Sequence, residues 1–155
     1  MDAFDARLLE LIQGDNRLTT EQLGAAVCLS PTACQRRLKK LRERGVIRAD
    51  VALLAPEKVG RPMTMVVQVS LEREQSAHLD AFKRTMRDTP EVQQCYYVTG
   101  DADFVLILTA RDMQDYERFA REHFFDNPNI RHFTTNVVMD SVKVGLTVPV
   151  VGSEY

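Results

Sequence analysis

No disulfide or metal framework can be read into this 155-residue chain. Its three cysteines, Cys28, Cys34 and Cys95, show no paired ligand spacing. An odd, scattered count suits a reducing cytosol and excludes a stapled secreted fold. The three histidines, His78, His123 and His132, are equally dispersed, so neither a metal nor a cofactor is expected. There is no charged-then-apolar leader and no apolar run long enough to cross a bilayer, which leaves a cytoplasmic location as the expectation. Internal repeats and low-complexity tracts are also lacking. Net charge is small, −2 overall, but it is unevenly spread. Residues 1–50 hold nine Lys/Arg against seven Asp/Glu, net +2, and residues 51–155 hold eleven against fifteen, net −4. The length allows one ordinary domain or two small ones, and the charge split favours two.

Most of the positive charge is concentrated in one stretch. From Gln35 to Arg48, fourteen positions carry seven basic residues (Arg36, Arg37, Lys39, Lys40, Arg42, Arg44, Arg48) against Glu43 alone, net +6. Such a stripe suits a polyanion, because each neutralised phosphate releases a counterion; a solvated, salt-bridged helix face would also carry it. What precedes it favours nucleic acid. Leu8, Leu9, Leu11 and Ile12 mark a helix over about Asp5–Gln13, stopped by Gly14-Asp15-Asn16. Thr19 and Gln22 have capping-box spacing at the head of a second helix, which turns Leu23, Ala26 and Val27 inward. Ser30 caps a third helix with Pro31 in its first turn. Cys34, Leu38 and Leu41 face its core, leaving Pro31, Thr32, Gln35, Arg36 and Lys39 outside. Two helices joined by a tight turn, the second basic outside and apolar inside, form the helix-turn-helix pattern. Gly45 ends it, and Val46 to Val51 reads as a short strand, one arm of a wing.

Residues 51–62, with Pro56, Gly60 and Pro62, read as a linker. Beyond them strands and helices alternate. Met65, Val67, Val69 and Leu71 give a strand with one apolar face. Leu79, Phe82 and Met86 mark a helix over about Gln75–Arg87. Strands follow at Val92–Val98 and Phe104–Thr109, separated by the turn Thr99-Gly100-Asp101-Ala102-Asp103. Asp112 caps a helix with Met113, Tyr116, Phe119, Ala120 and Phe124 inward, and a last strand runs from about Arg131 to Lys143. The order βαββαβ is the ferredoxin-like plan, so the fold class is α+β: a winged helix-turn-helix over 1–50 and a ferredoxin-like domain over 63–155. Phe104–Leu108 is apolar at consecutive positions, so both faces of its strand need cover. Two helices cover only one face of a four-stranded sheet; a second copy is the simplest cover for the other, and a dimer suits symmetric half-sites.

At this point the chain resembles the Lrp/AsnC (leucine-responsive, feast/famine) transcriptional regulators over nearly its whole length. The matching pieces are Asp5-x-x-Leu8-Leu9, Thr19-x-x-Gln22-Leu23, Leu29-Ser30-Pro31-Thr32-x-Cys34 through Arg37, Leu41 and Gly45-Val46-Ile47. In the second half they are Pro90-Glu91-Val92-x-x-Cys95-Tyr96-x-Val98-Thr99-Gly100-Asp101-x-Asp103-Phe104 and Val142-Lys143. The resemblance implies a C-terminal sensing domain, dimers assembling into octamers or similar rings on the nucleoid, and an amino-acid effector. One departure stands out. The family usually has glycine where this chain has Cys28. If that position needs a positive φ, the cysteine costs about 1–2 kcal/mol; otherwise the turn differs and re-aims the third helix.

Pro31, Thr32, Gln35 and Arg36 are the expected base-edge contacts on double-stranded DNA, and Arg37, Lys39 and Lys40 the expected phosphate contacts. Asp101 and Asp103 admit three readings: a catalytic pair, a turn that satisfies its own backbone N–H groups, or, as the resemblance implies, the lining of an effector pocket. In the last, a carboxylate holds an α-ammonium. The N–H groups of Thr99–Asp103, with Thr134, Thr135 and Asn136, then hold the α-carboxylate. An edge or solvent-facing stretch would equally explain those polar strand residues. Cys34 and Cys95 are expected as small core side chains, and Cys28 as an exposed thiol. Two other functions stay open: an architectural DNA-wrapping protein without effector, and a tetrapyrrole decarboxylase of the same fold. The basic helix and the dispersed histidines argue against enzymatic activity.

Overall fold

The computed structural model describes residues 1–72 and 76–151. They fall into two compact units, one made of residues 1–52 with 143–151 and the other of residues 53–142. The expected linker 51–62 is therefore divided. The tail, expected in the second domain, groups instead with the helical unit.

In the first unit, α1 (Ala3–Gly14), α2 (Thr20–Val27) and α3 (Pro31–Glu43) pack around Leu8, Leu9, Leu23, Val27, Cys34, Leu38 and Leu41. Each helix starts at a side-chain cap. Asp2 and Asp5 form a capping box on α1, Thr19 and Gln22 one on α2, and the Ser30 hydroxyl accepts the Ala33 N–H at 3.2 Å. These caps satisfy the donors that a helix start leaves unpaired. Gly45, at φ 70°, closes α3, where Val46 and Ile47 donate back to the Leu41 carbonyl. No strand follows: residues 46–55 form no ladder, which corrects the expected wing arm. Alternating side chains propose a strand, but a strand also needs a paired backbone, and this segment makes no ladder. The tail has its own anchor. The Gln13 amide donates to the Val148 carbonyl at 3.0 Å and accepts its N–H at 2.8 Å, and Val150 packs on the helical core.

The second unit begins with a 3-10 turn, Pro56–Val59, and continues as β1 (Met63–Leu71), α4 (Ser76–Asp88), β2 (Val92–Tyr97), β3 (Phe104–Ala110), α5 (Met113–Ala120) and β4 (Ile130–Val137). Gln75, the expected first residue of α4, lies outside the described residues. The sheet order is β2-β3-β1-β4 with antiparallel neighbours, the ferredoxin-like arrangement. Met65, Val67, Val69, Phe104, Leu106 and Leu108 form one sheet face and are buried with Phe82, Met86, Phe119 and Phe124 of the helical layer. A π-helical turn, Arg121–Phe125, extends α5. β4 ends at Val137, six residues short of expectation; Val138 still donates to Thr64, close to where β1 begins, and beyond it the partner strand runs out. The other sheet face carries two cross-strand rows, Gln94-Ile107-Val66-Asn136 and Tyr96-Val105-Gln68-Thr134. Val66, Val105 and Ile107 stay only half-buried there. Among the described residues, no helix is long and apolar enough to cross a membrane.

Candidate DNA-reading helix and sensor turn

The outer face of α3 is built by helical periodicity. With Cys34, Leu38 and Leu41 buried, the 100° step per residue sends Thr32, Arg36 and Lys39 outward, flanked by Gln35 and Lys40. All five, with Pro31, are exposed. The seven basic side chains are not equivalent. Lys39 pairs with Glu43 at 3.8 Å and Arg42 with Asp50 at 3.0 Å. Arg36, Lys40, Arg44 and Arg48 have no carboxylate partner among the described residues.

Arg37 does not fit its expected role. Its Nη1 reaches Oδ2 of Asp2 at 2.7 Å and Oδ1 of Asp5 at 2.8 Å, and its guanidinium stands 5.5 Å from the centre of the Phe4 ring. The side chain is 27 % exposed. Arg37 lies about 60° from Cys34 around the helix, on the flank that meets α1 rather than on the outer face. Its Nη1 is engaged in an ion pair with two carboxylates of the same unit, a partner that the expected phosphate role did not include. Consistent with those contacts, hydrogen bonds to Asp5 and Asp2 raise its pKa, while the Asp5 N–H and Arg37 hold the Asp2 carboxyl below the usual carboxylate range.

The turn into α3 depends on two residues. Cys28 is left-handed (φ 57°, ψ 43°), the lone positive-φ residue besides glycine among those described, and its side chain is exposed. Its N–H and that of Leu29 both donate to the Gly24 carbonyl. Of the two readings the sequence left open at this position, the structure shows the positive φ, adopted here by a cysteine. Gly24, for which the sequence pattern suggested no role, allows the close approach: a Cβ there would sit 2.5 Å from the Leu29 carbonyl oxygen. A signal was available, since glycine inside a helix costs stability unless something packs against it.

In the second unit the Thr99–Asp103 turn is pinned to the end of β1. Val98 donates to the Asp103 carbonyl, Asp103 donates to Val69, Leu71 N–H donates to Asp103 Oδ2 at 2.6 Å, and the Ser70 hydroxyl donates to the Asp101 carbonyl. Asp103 therefore spends one oxygen on holding the turn. Gly100, at φ 118°, meets a backbone demand that other residues rarely satisfy. Thr99, Gly100 and Asp101 are exposed, and among the described residues the N–H groups of residues 99–102 find no protein acceptor.

The expected partner segment is not assembled beside the turn. Thr134 and Asn136 pair with Gln68 and Val66, three and five residues from Leu71, so within one chain they stand roughly 10–17 Å along the sheet from the turn. Thr135 points to the opposite face, where its hydroxyl meets the Tyr116 hydroxyl beneath the helices. That removes Thr135 from any site shared with its neighbours, because successive strand residues alternate faces. Also unforeseen is Asp115, buried and held by Arg111, Arg118 and, at 3.7 Å, Arg61. Arg61 also donates to the Thr109 hydroxyl, tying the segment before β1 to the sheet. Beside this cluster, a cleft of about 300 Å³ is lined by Thr89, Glu91, Asp115, Arg118, Phe119 and His123, away from the turn.

Comparison with known proteins gives a consistent picture. The AsnC-type helix-turn-helix domain matches residues 1–42, and the Lrp/AsnC ligand binding domain matches residues 64–148. An HTH-type transcriptional regulator of Sinorhizobium fredii is 56% identical over 97% of this chain and 89% of its own length. A proline dehydrogenase transcriptional activator of Rhizobium radiobacter is 34% identical, covering 92% of each chain. The solved transcriptional regulator of Neisseria meningitidis, in complex with L-methionine, superimposes with a TM-score of 0.89 at 31% identity over 96% of both chains.

Proposed function

Since the chain belongs to the Lrp/AsnC family of transcriptional regulators, we propose that α3 enters the major groove of an operator and that an amino acid tunes the binding. Pro31, Thr32, Gln35 and Arg36 read base edges, while Lys39 and Lys40 contact phosphates. The observation that carries this reading is the outer face of α3, where Arg36 and Lys40 are exposed and lack a carboxylate partner among the described residues. A helix that merely decorated the surface would gain by pairing them.

The effector site consists of Thr99, Gly100, Asp101 and Asp103 of one subunit with Thr134 and Asn136 of another. The open N–H groups of the turn supply donors for an α-carboxylate, and Asp101 a partner for an α-ammonium. Distance supports assembly across a subunit boundary, because one chain alone leaves the two segments apart. The half-buried Val66, Val105 and Ile107 give a second copy an apolar face to cover. A homodimer, extended into an octamer or other ring, is the assembly this implies.

The test begins with selection of bound sequences from a randomised duplex library, using the full chain. A regulator enriches a discrete motif; a sequence-blind DNA-wrapping protein enriches none. On the enriched site, Arg36→Ala costs about 1–3 kcal/mol and relaxes preference at one base pair, whereas Lys39→Ala weakens all sequences alike. Equal, sequence-blind losses from both would make Arg36 a phosphate clamp. A thermal-shift screen of the twenty amino acids then identifies the effector, since a ligand of the native state raises its melting temperature.

A further inference from the structure

Asp2 and Asp5 are arranged as a socket. Asp2 Oδ1 accepts the Asp5 N–H at 2.9 Å, and Asp5 Oδ2 accepts the Asp2 N–H at 3.3 Å. The two remaining oxygens, Asp2 Oδ2 and Asp5 Oδ1, both receive Arg37 Nη1. All four carboxylate oxygens are thus engaged, two in starting α1 and two in gripping α3. Asp5 is the less accessible of the pair, its side chain 14 % exposed. A lone capping box would need no arginine, and a lone surface ion pair would leave its partners free to swing; here each acid is already held by its own helix start, and Phe4 lies under the guanidinium.

We infer that Asp2 and Asp5, acting through Arg37, are positioning residues for DNA reading: they fix the rotation of α3 about its axis and so the direction in which Thr32, Gln35 and Arg36 leave it. The inference rests on α3 being the DNA-contacting helix. Arg37 sits in the middle of α3, one residue from Arg36 and two from Gln35. A turn of the helix that released Arg37 from its socket would carry those side chains through the same angle. A bidentate base contact tolerates little of that, since it discriminates by planar geometry. Arg37 therefore contributes to specificity without touching a base, and to affinity without releasing a phosphate counterion.

The salt dependence of binding separates this role from a phosphate contact. With the full chain and the sequence enriched from the randomised library, Lys40→Gln is expected to lower the slope of log affinity against log salt by about 0.9 for each phosphate that is no longer neutralised. Discrimination against single base-pair variants stays as in the parent. Arg37→Gln is expected to leave the slope unchanged and to erode that discrimination, which for a good bidentate contact is roughly 5- to 150-fold. Asp5→Asn reproduces the loss, and Arg37→Lys, which keeps a cationic nitrogen for the socket but not the planar guanidinium, recovers part of it. Thermal melts confirm that each variant is folded at the assay temperature. If Arg37→Gln flattens the slope as Lys40→Gln does, Arg37 is a phosphate contact and the inference falls. It falls equally if Arg37→Gln and Asp5→Asn reduce only stability, with slope and discrimination intact. Failure of the parent chain to enrich any motif would instead refute the DNA-reading assignment itself.

Discussion

Replacing Cys28 by glycine isolates a strain that the structure localises to one residue. Cys28 is left-handed at φ 57° and ψ 43°, and its side chain is exposed. A left-handed L-residue costs about 1–2 kcal/mol through the contact of its Cβ with the following carbonyl. Glycine removes that cost but adds freedom to the unfolded chain, which takes back about 0.4–1 kcal/mol. No buried packing is removed, because the thiol faces solvent. The expected net gain is therefore about 0–1.6 kcal/mol, centred near 0.8 kcal/mol. For a cooperative unit of this size, the central value corresponds to a rise of roughly 3–6 °C in the melting of the helical unit. Hydrogen exchange of the α2 and α3 amides in the full chain, under reducing conditions, reads the helical unit separately from the sheet. Cys28→Ala is the control: it discards the thiol and keeps the Cβ, so it should bring no gain. If alanine stabilises as much as glycine, the thiol and not the backbone was the source. If glycine destabilises, the cysteine contributes packing that its exposure does not suggest, and the strain argument is wrong.

Four further outcomes are expected. Gly24→Ala forces a Cβ to within 2.5 Å of the Leu29 carbonyl oxygen, so α2 and the turn must separate; chemical denaturation should show a loss of about 1–3 kcal/mol, with weaker operator binding. Asp103→Ala removes the acceptor of the Leu71 N–H and should lower both the stability of the sheet unit, by about 1–3 kcal/mol, and effector affinity. Asp101→Ala, at an exposed turn position, should lower effector affinity alone, and calorimetry with parallel melts distinguishes the two. Asp115 concerns acid. Hydrogen bonds from the Arg111 side chain and N–H, reinforced by the Arg111 and Arg118 charges, hold its carboxyl below the usual carboxylate range. A depressed folded pKa contributes stability that is complete above the unfolded value of about 3.9 and is lost as pH falls through the lower folded value. Melting temperature should therefore fall beneath about pH 4, and Asp115→Asn should flatten that acid limb; an unchanged limb would assign the acid sensitivity to other carboxylates.

The local rules of the chain were legible without coordinates. Thr19 with Gln22, Ser30 with Pro31, and Asp112 announce helix starts, and the structure places α2, α3 and α5 directly after them. Such caps act within three or four residues, so sequence order alone determines them. The apolar periods of Cys34-Leu38-Leu41 and Met65-Val67-Val69 likewise chose the buried faces, because periodicity fixes which side chains share a face. At position 28 the sequence left a positive φ and a different turn both open, and only the structure decided for the positive φ. Long-range pairing was not legible. Whether Val46–Val51 or residues 138–143 became strands depended on pairing with another backbone edge, and neither segment forms a ladder. The fate of each charge was hidden in the same way. Arg36 and Arg37 are adjacent and chemically identical, yet one reaches solvent and the other closes on Asp2 and Asp5, more than thirty residues away. Composition counts both as +1; only the packing of α3 on α1 decides which is left for a partner. Thr134, Thr135 and Asn136 were split by the same logic, since the alternation of a strand is local but the identity of its two faces is set by where the helices pack.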